Sequence, residues 1–105
     1  MKYLAFALLL IPVMSFGADL EMAISIKDHQ FNPAELKVPA GKKIKLVVSN
    51  LDSTPEEFES HQLNREKVIA GNAKATLYVG PLSPGKYTFW GEFHDKTARG
   101  VIVAE

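Results

Sequence analysis

Apolar and polar residues alternate along most of the chain beyond its first nineteen positions. In LEMAISIK, Leu20, Met22, Ile24 and Ile26 alternate with Glu21, Ala23, Ser25 and Lys27. A period of two is that of a strand with one face buried. Phe31-Asn32-Pro33 breaks the pattern, because proline cannot donate to a ladder. ELKV resumes it with Leu36 and Val38, and Pro39-Ala40-Gly41 turns the chain. KIKLVVSN then sets Ile44, Leu46 and Val48 on one face. Phe58 marks a short strand among acids. ESHQLNREKVIAGN shows no clean period and reads as a long connection with a helical turn. ATLYV sets Ala75, Leu77 and Val79 on one face, Leu82-Ser83-Pro84-Gly85 turns, KYTFW offers Tyr87 and Phe89, and GVIVAE closes with Val101 and Val103. About seven short strands separated by turn signals predict an all-β sandwich.

The opening residues are of another kind. Lys2 precedes an apolar run from Leu4 to Val13, followed by Ser15, Phe16 and Gly17. A short basic start, an apolar stretch too short to span a membrane and small residues before a cut predict a secretory signal peptide over residues 1–17. Removing 17 of the 105 residues leaves 88 for a single domain over residues 18–105, near the lower limit for a self-sufficient core. The expected location is the periplasm, reached through the inner membrane.

Composition then removes whole classes of function. There is no cysteine, so an exported domain folds without disulfides and has neither a thiolate metal ligand nor a thiol nucleophile. Twelve basic residues face twelve acidic ones, and loss of Lys2 leaves one net negative charge. Nucleic acid and anionic membranes both call for a basic excess. Neither a nucleophile elbow nor a zincin helix motif occurs, and the protein is not expected to act as an enzyme on its own.

FNPAELKVPAGKKIKLVVSNLD resembles the opening half of cupredoxins, small Greek-key sandwiches that hold copper, and PLSPGKYTFWGEFHDKTARGVIV resembles their closing half. STPEEFESHQLNREKVIAG and the GEFH loop are most similar to the EfeO-type cupredoxin-like family of bacterial periplasmic iron-uptake systems. The resemblance implies a cupredoxin-like Greek-key β-sandwich. It also implies a histidine ligand after the Asn50 strand, then a cysteine, a histidine and an axial methionine in the last loop. Here Pro55-Glu56-Glu57-Phe58 follows that strand, Gly91 stands at the cysteine place, His94 matches the loop histidine and Ala98 stands at the methionine place. A blue-copper centre needs the copper–thiolate bond and cannot form.

Carboxylate and imidazole remain as donors. Glu56, Glu57, Glu59 and His61 lie around one strand, Glu92, His94 and Asp95 in the closing loop, and in such a sandwich the two segments meet at one end. Oxygen and imidazole donors suit Fe, Cu(II), Mn or Zn. If Phe58 faces the core, Glu57 and Glu59 point to the other face and Glu56 shares the side of Phe58. The expected metal ligands are His94, Glu57 and Glu92, followed by Glu56, Glu59 and His61. His29, in KDHQFNP, resembles a site-edge position and stands outside that set. Each residue also has a plainer reading: His94 and His61 as polar loop residues, the EEFES acids as a solvated strand face. Met22 alternates with core residues and belongs to the core. Three functions follow. The first is an iron- or copper-binding protein that assists iron uptake beside a periplasmic iron-binding protein or membrane permease, with a hand in Fe(II) oxidation. The second is a copper(II)-binding or delivery protein. The third is a metal-free adaptor docking to a membrane partner.

Overall fold

The computed structural model describes residues 19–105; the expected signal peptide lies outside the described residues. Nine strands form two sheets: β1 (Leu20–Lys27), β2 (Gln30–Asn32), β3 (Glu35–Val38), β4 (Ile44–Asn50), β5 (Glu56–Ser60), β6 (Arg65–Ile69), β7 (Lys74–Val79), β8 (Gly85–Gly91) and β9 (Arg99–Ala104). One sheet runs β2-β1-β4-β7 and the other β3-β9-β8-β5-β6. Parallel pairing of β1 with β4 and of β3 with β9 ties distant segments together; the other ladders are antiparallel. Among the described residues one 3-10 turn, Glu92–His94, joins β8 to the loop before β9.

The alternation read from sequence holds where polar residues mark the outer face. Ile24, Ile26, Leu36, Val38, Ile44, Leu46, Val48, Leu77 and Val79 are all buried between the sheets, and Met22 packs against them. Three phenylalanines fill the end of the core nearest the 3-10 turn. Phe58 and Phe89 stack with centroids 5.0 Å apart, and Phe31 meets Phe89 edge-on at 4.9 Å. Each such burial contributes about 1.5–3 kcal/mol.

Two strands and one face differ from expectation. β2 has three residues and only Phe31 buried. β6 lies inside the stretch read as a connection; it is a sheet edge with Ile69 as its single buried residue, so no period shows. In β9 the core face belongs to Ile102 and Ala104, both buried, whereas Val101 and Val103 are half-buried. GVIVA is apolar throughout, so the phase comes from pairing. Phe89 stands opposite Gly100 and Tyr87 opposite Ile102, which puts the even-numbered residues of β9 on the inner face. A side chain at Gly100 would collide with the Phe89 ring.

Candidate metal centre

Glu56 opens β5 and points inward with Phe58, as alternation requires. It is 1% exposed, so its carboxylate needs partners. Oε1 accepts the backbone N–H groups of Glu57 (2.9 Å) and Phe93 (2.8 Å). Oε2 lies 2.7 Å from Nδ1 of His94. One buried carboxylate thus fastens the 3-10 turn to β5 and orients its histidine. The backbone completes the hold, as the N–H groups of Thr97 and Ala98 both donate to the His94 carbonyl.

His29 reaches the same place from the β1–β2 turn. Its ring stacks on that of His94 with centroids 3.6 Å apart and an interplanar angle of 12°. His29, Glu56 and His94 offer donor atoms that all lie within 4.8 Å of one another. Asp52 sits behind His29, its Oδ2 accepting the His29 N–H at 2.9 Å and lying 3.4 Å from the ring Nδ1. The hydrogen bond from the His29 backbone holds the Asp52 carboxyl below its ordinary value of 3.8, against the opposing effect of burial and with help from the Asp28 N–H.

Of the residues expected as ligands, the fold brings His94 and Glu56 together and adds His29. Glu57 and Glu59 face outward, where they and Glu66 place carboxylate oxygens within 4.8 Å of each other. Glu59 stands directly opposite Glu66 across the β5–β6 ladder. A hydrogen bond with Glu66, then desolvation and the charges of Glu66, Glu59 and Glu92, raise the Glu57 carboxyl to about 7. Glu92 is exposed and accepts the Trp90 indole N–H at 2.7 Å. His61 is exposed beside Glu59 (3.4 Å) and edge-on to Trp90. Sequence reasoning set His29 aside and passed over Asp52. The available signal was Asp28-His29 at the point where the alternation of β1 stops, a polar pair in a two-residue turn.

The centre excludes blue copper on geometry as well as composition. A Cβ placed on Gly91 would lie 2.6 Å from Cδ of Glu56, 2.7 Å from Cβ of Ala98 and 2.8 Å from Oε2 of Glu56. The Glu56 carboxylate therefore occupies the space that a side chain at position 91 would need, and glycine at 91 beside the small Ala98 leaves room for it. A set of two imidazoles and one carboxylate instead fits a non-blue ion. It lacks soft ligands, matches the two-histidine, one-carboxylate pattern of non-haem iron, and suits Cu(II) through the imidazoles.

Comparison with known proteins agrees with the fold. The chain matches the cupredoxin-like domain family model over residues 2–104. An uncharacterized protein of Rickettsia prowazekii is 48% identical over 84 residues, which span 80% of this chain and 67% of that protein. Auracyanin A, a blue copper protein of Chloroflexus aurantiacus, superposes with a TM-score of 0.71 at 13% identity, covering 84% of this chain and all of that one. The metal-binding domain of the Cu(I)-exporting P-type ATPase CopA of Streptococcus pneumoniae gives 0.65 at 13% identity, covering 81% and 84%. At such identities these two structures speak for the fold alone. With a family model spanning nearly its whole length and a two-sheet sandwich to match, this chain belongs to the cupredoxin-like domain family.

Proposed function

We propose that this protein is an exported metal-binding domain that holds iron or copper between His29, Glu56 and His94 and serves bacterial iron uptake in the periplasm, as an EfeO-type cupredoxin-like protein. The observation that carries this reading is the meeting of two imidazoles and a buried carboxylate from three separate segments at one end of the sandwich. Glu56 is buried with both oxygens partnered by the protein, while the two imidazoles beside it are part-exposed, so an incoming ion could reach a donor set whose carboxylate is already held in place. An ion held there would supply a redox or Lewis-acid centre. Glu56 would contribute a hard anionic oxygen, which favours the ferric over the ferrous state and would so assist the loss of one electron from Fe(II) to an external one-electron acceptor. Asp52 supports one imidazole, and Gly91 with Ala98 leaves the volume that Glu56 fills. The partner in this reading is a periplasmic iron-binding protein or a membrane permease.

Copper(II) binding or delivery is the second reading, favoured by the imidazole pair, because divalent copper outcompetes other first-row ions at nitrogen donors. One experiment tests both. The tag-free protein is titrated with Fe(III), Cu(II) and Zn(II), and retained metal is measured after desalting, beside His94→Ala and His29→Ala. Stoichiometric retention lost in both variants supports the centre, and the preferred ion chooses between the iron and copper readings. If no ion is retained, or if both variants retain it as well as the wild type, the centre is not a metal site and docking to a partner becomes the working function.

A further inference from the structure

The turn that delivers His29 takes a left-handed conformation that is completed most easily by a glycine at its second position. Asp28 and His29 are consecutive left-handed residues, with φ of 52° and 57°. They form the two-residue loop between β1 and β2, closed by the pairing of Lys27 with Gln30. Loops of this kind favour Asn-Gly or Gly-Gly, because both positions require positive φ. Asp and His tolerate this region better than most side chains, but the second position, where these turns favour glycine, holds the imidazole-bearing residue, so a modest strain remains there.

Asp52 is placed to hold that turn. Its Oδ1 accepts the N–H of Asp28 at 2.8 Å and its Oδ2 accepts the N–H of His29 at 2.9 Å. The same Oδ2 lies 3.4 Å from Nδ1 of His29, so one carboxylate touches both backbone and ring. Asp52 is itself fixed: its N–H donates to Oδ1 of Asn50 at 3.0 Å and its carbonyl accepts the N–H of Asn72 at 2.8 Å. From the opposite side, the Thr97 hydroxyl donates to the His29 carbonyl at 2.7 Å, tying the turn to the loop that bears His94.

We infer that Asp52 is the positioning residue of the metal centre: by gripping both N–H groups of the Asp28–His29 turn it sets the His29 imidazole against that of His94. The inference rests on the metal-centre reading for its purpose, but its geometry stands apart from any ion. A residue that merely stabilised the fold would, on removal, lower the melting temperature and leave the number of coordinating imidazoles unchanged.

The test uses Cu(II) as the probe, with nitrogen hyperfine structure in electron paramagnetic resonance counting imidazoles. Wild type shows two. Asp52→Ala shows one, with affinity lower by roughly 10- to 100-fold, as for other groups that orient a ligand. Adding Asp28→Gly, which adopts positive φ without strain, restores the second nitrogen and most of the affinity. Asp52→Asn keeps the shape and one acceptor oxygen and gives an intermediate loss in a folded protein. Two-nitrogen binding at wild-type affinity in Asp52→Ala overturns the inference, as does failure of Asp28→Gly to rescue. Proton NMR of the metal-free protein supplies the second readout. His29–His94 ring contacts are present in wild type, lost in Asp52→Ala and regained in the double variant. If wild type binds no Cu(II) but these contacts behave as stated, the metal reading fails while the positioning role of Asp52 stands.

Discussion

Glu56→Ala removes the acceptor for two backbone donors, the N–H groups of Glu57 and Phe93, at a residue only 1% exposed. The two donors are part-buried, so each loss falls in the lower half of the range of about 1–3 kcal/mol and the pair costs about 3 kcal/mol before the space opened over Gly91 and Ala98 is counted. In a domain of this size each kcal/mol lowers the melting temperature by roughly 4–8 °C, which sets the expected loss at roughly 12–24 °C. Glu56→Gln keeps the volume and an oxygen for both donors. It gives up the charge assistance, about 1 kcal/mol per bond, and is relieved of the cost of burying a charge. These effects oppose each other, and the expected change is under about 10 °C. The assay is thermal unfolding followed by circular dichroism in chelator-treated buffer. An alanine variant melting within about 5 °C of wild type would refute the reasoning, because it would mean that water reaches both N–H groups and the carboxylate does not hold the turn.

Three further outcomes are expected. Because Glu57 titrates at about 7 in the folded protein against 4.5 ordinarily, its contribution to stability is full below about 4.5 and is lost as pH rises through about 7; Glu57→Gln flattens the melting temperature over that window, and an unchanged slope counts against proton sharing with Glu66. Gly100→Ala drives a methyl group into the Phe89 ring and lowers stability by about 1–3 kcal/mol in urea unfolding. Asn50→Ala deletes the bonds that the buried amide donates to the carbonyls of Thr54, Ile69 and Ala70 and accepts from the Asp52 N–H, costing about 3 kcal/mol and also weakening metal retention through Asp52. Retention unaffected in a folded Asn50→Ala protein would separate Asn50 from the centre.

The sandwich was legible in the sequence because most strands expose one polar face, and alternation then states which residues go inside. It was silent where that contrast vanishes: in β9, apolar on both faces, and in β6, exposed at a sheet edge in all but its last residue. The centre was legible in part. Alternation with Phe58 already turns Glu56 inward and Glu57 and Glu59 outward, yet by residue type the three look equally suitable; Glu57 ranks first among them on the sequence alone, and the fold shows which face meets the histidines. His29 could not be ranked from the chain alone, because its closeness to His94 depends on a two-residue turn gripped by Asp52, 23 positions away.

His29, Glu56 and His94 are separated by 27 and 38 positions in the sequence, and they sit on segments joined only when both sheets have closed. Pairings of such long range are late and slow events in folding. No short fragment brings the three together, so on the proposed metal-binding reading an ion would meet the complete donor set only in the folded domain. The compartment in which folding finishes would then decide which ions compete for the proposed centre, a selectivity that the donor atoms alone do not supply.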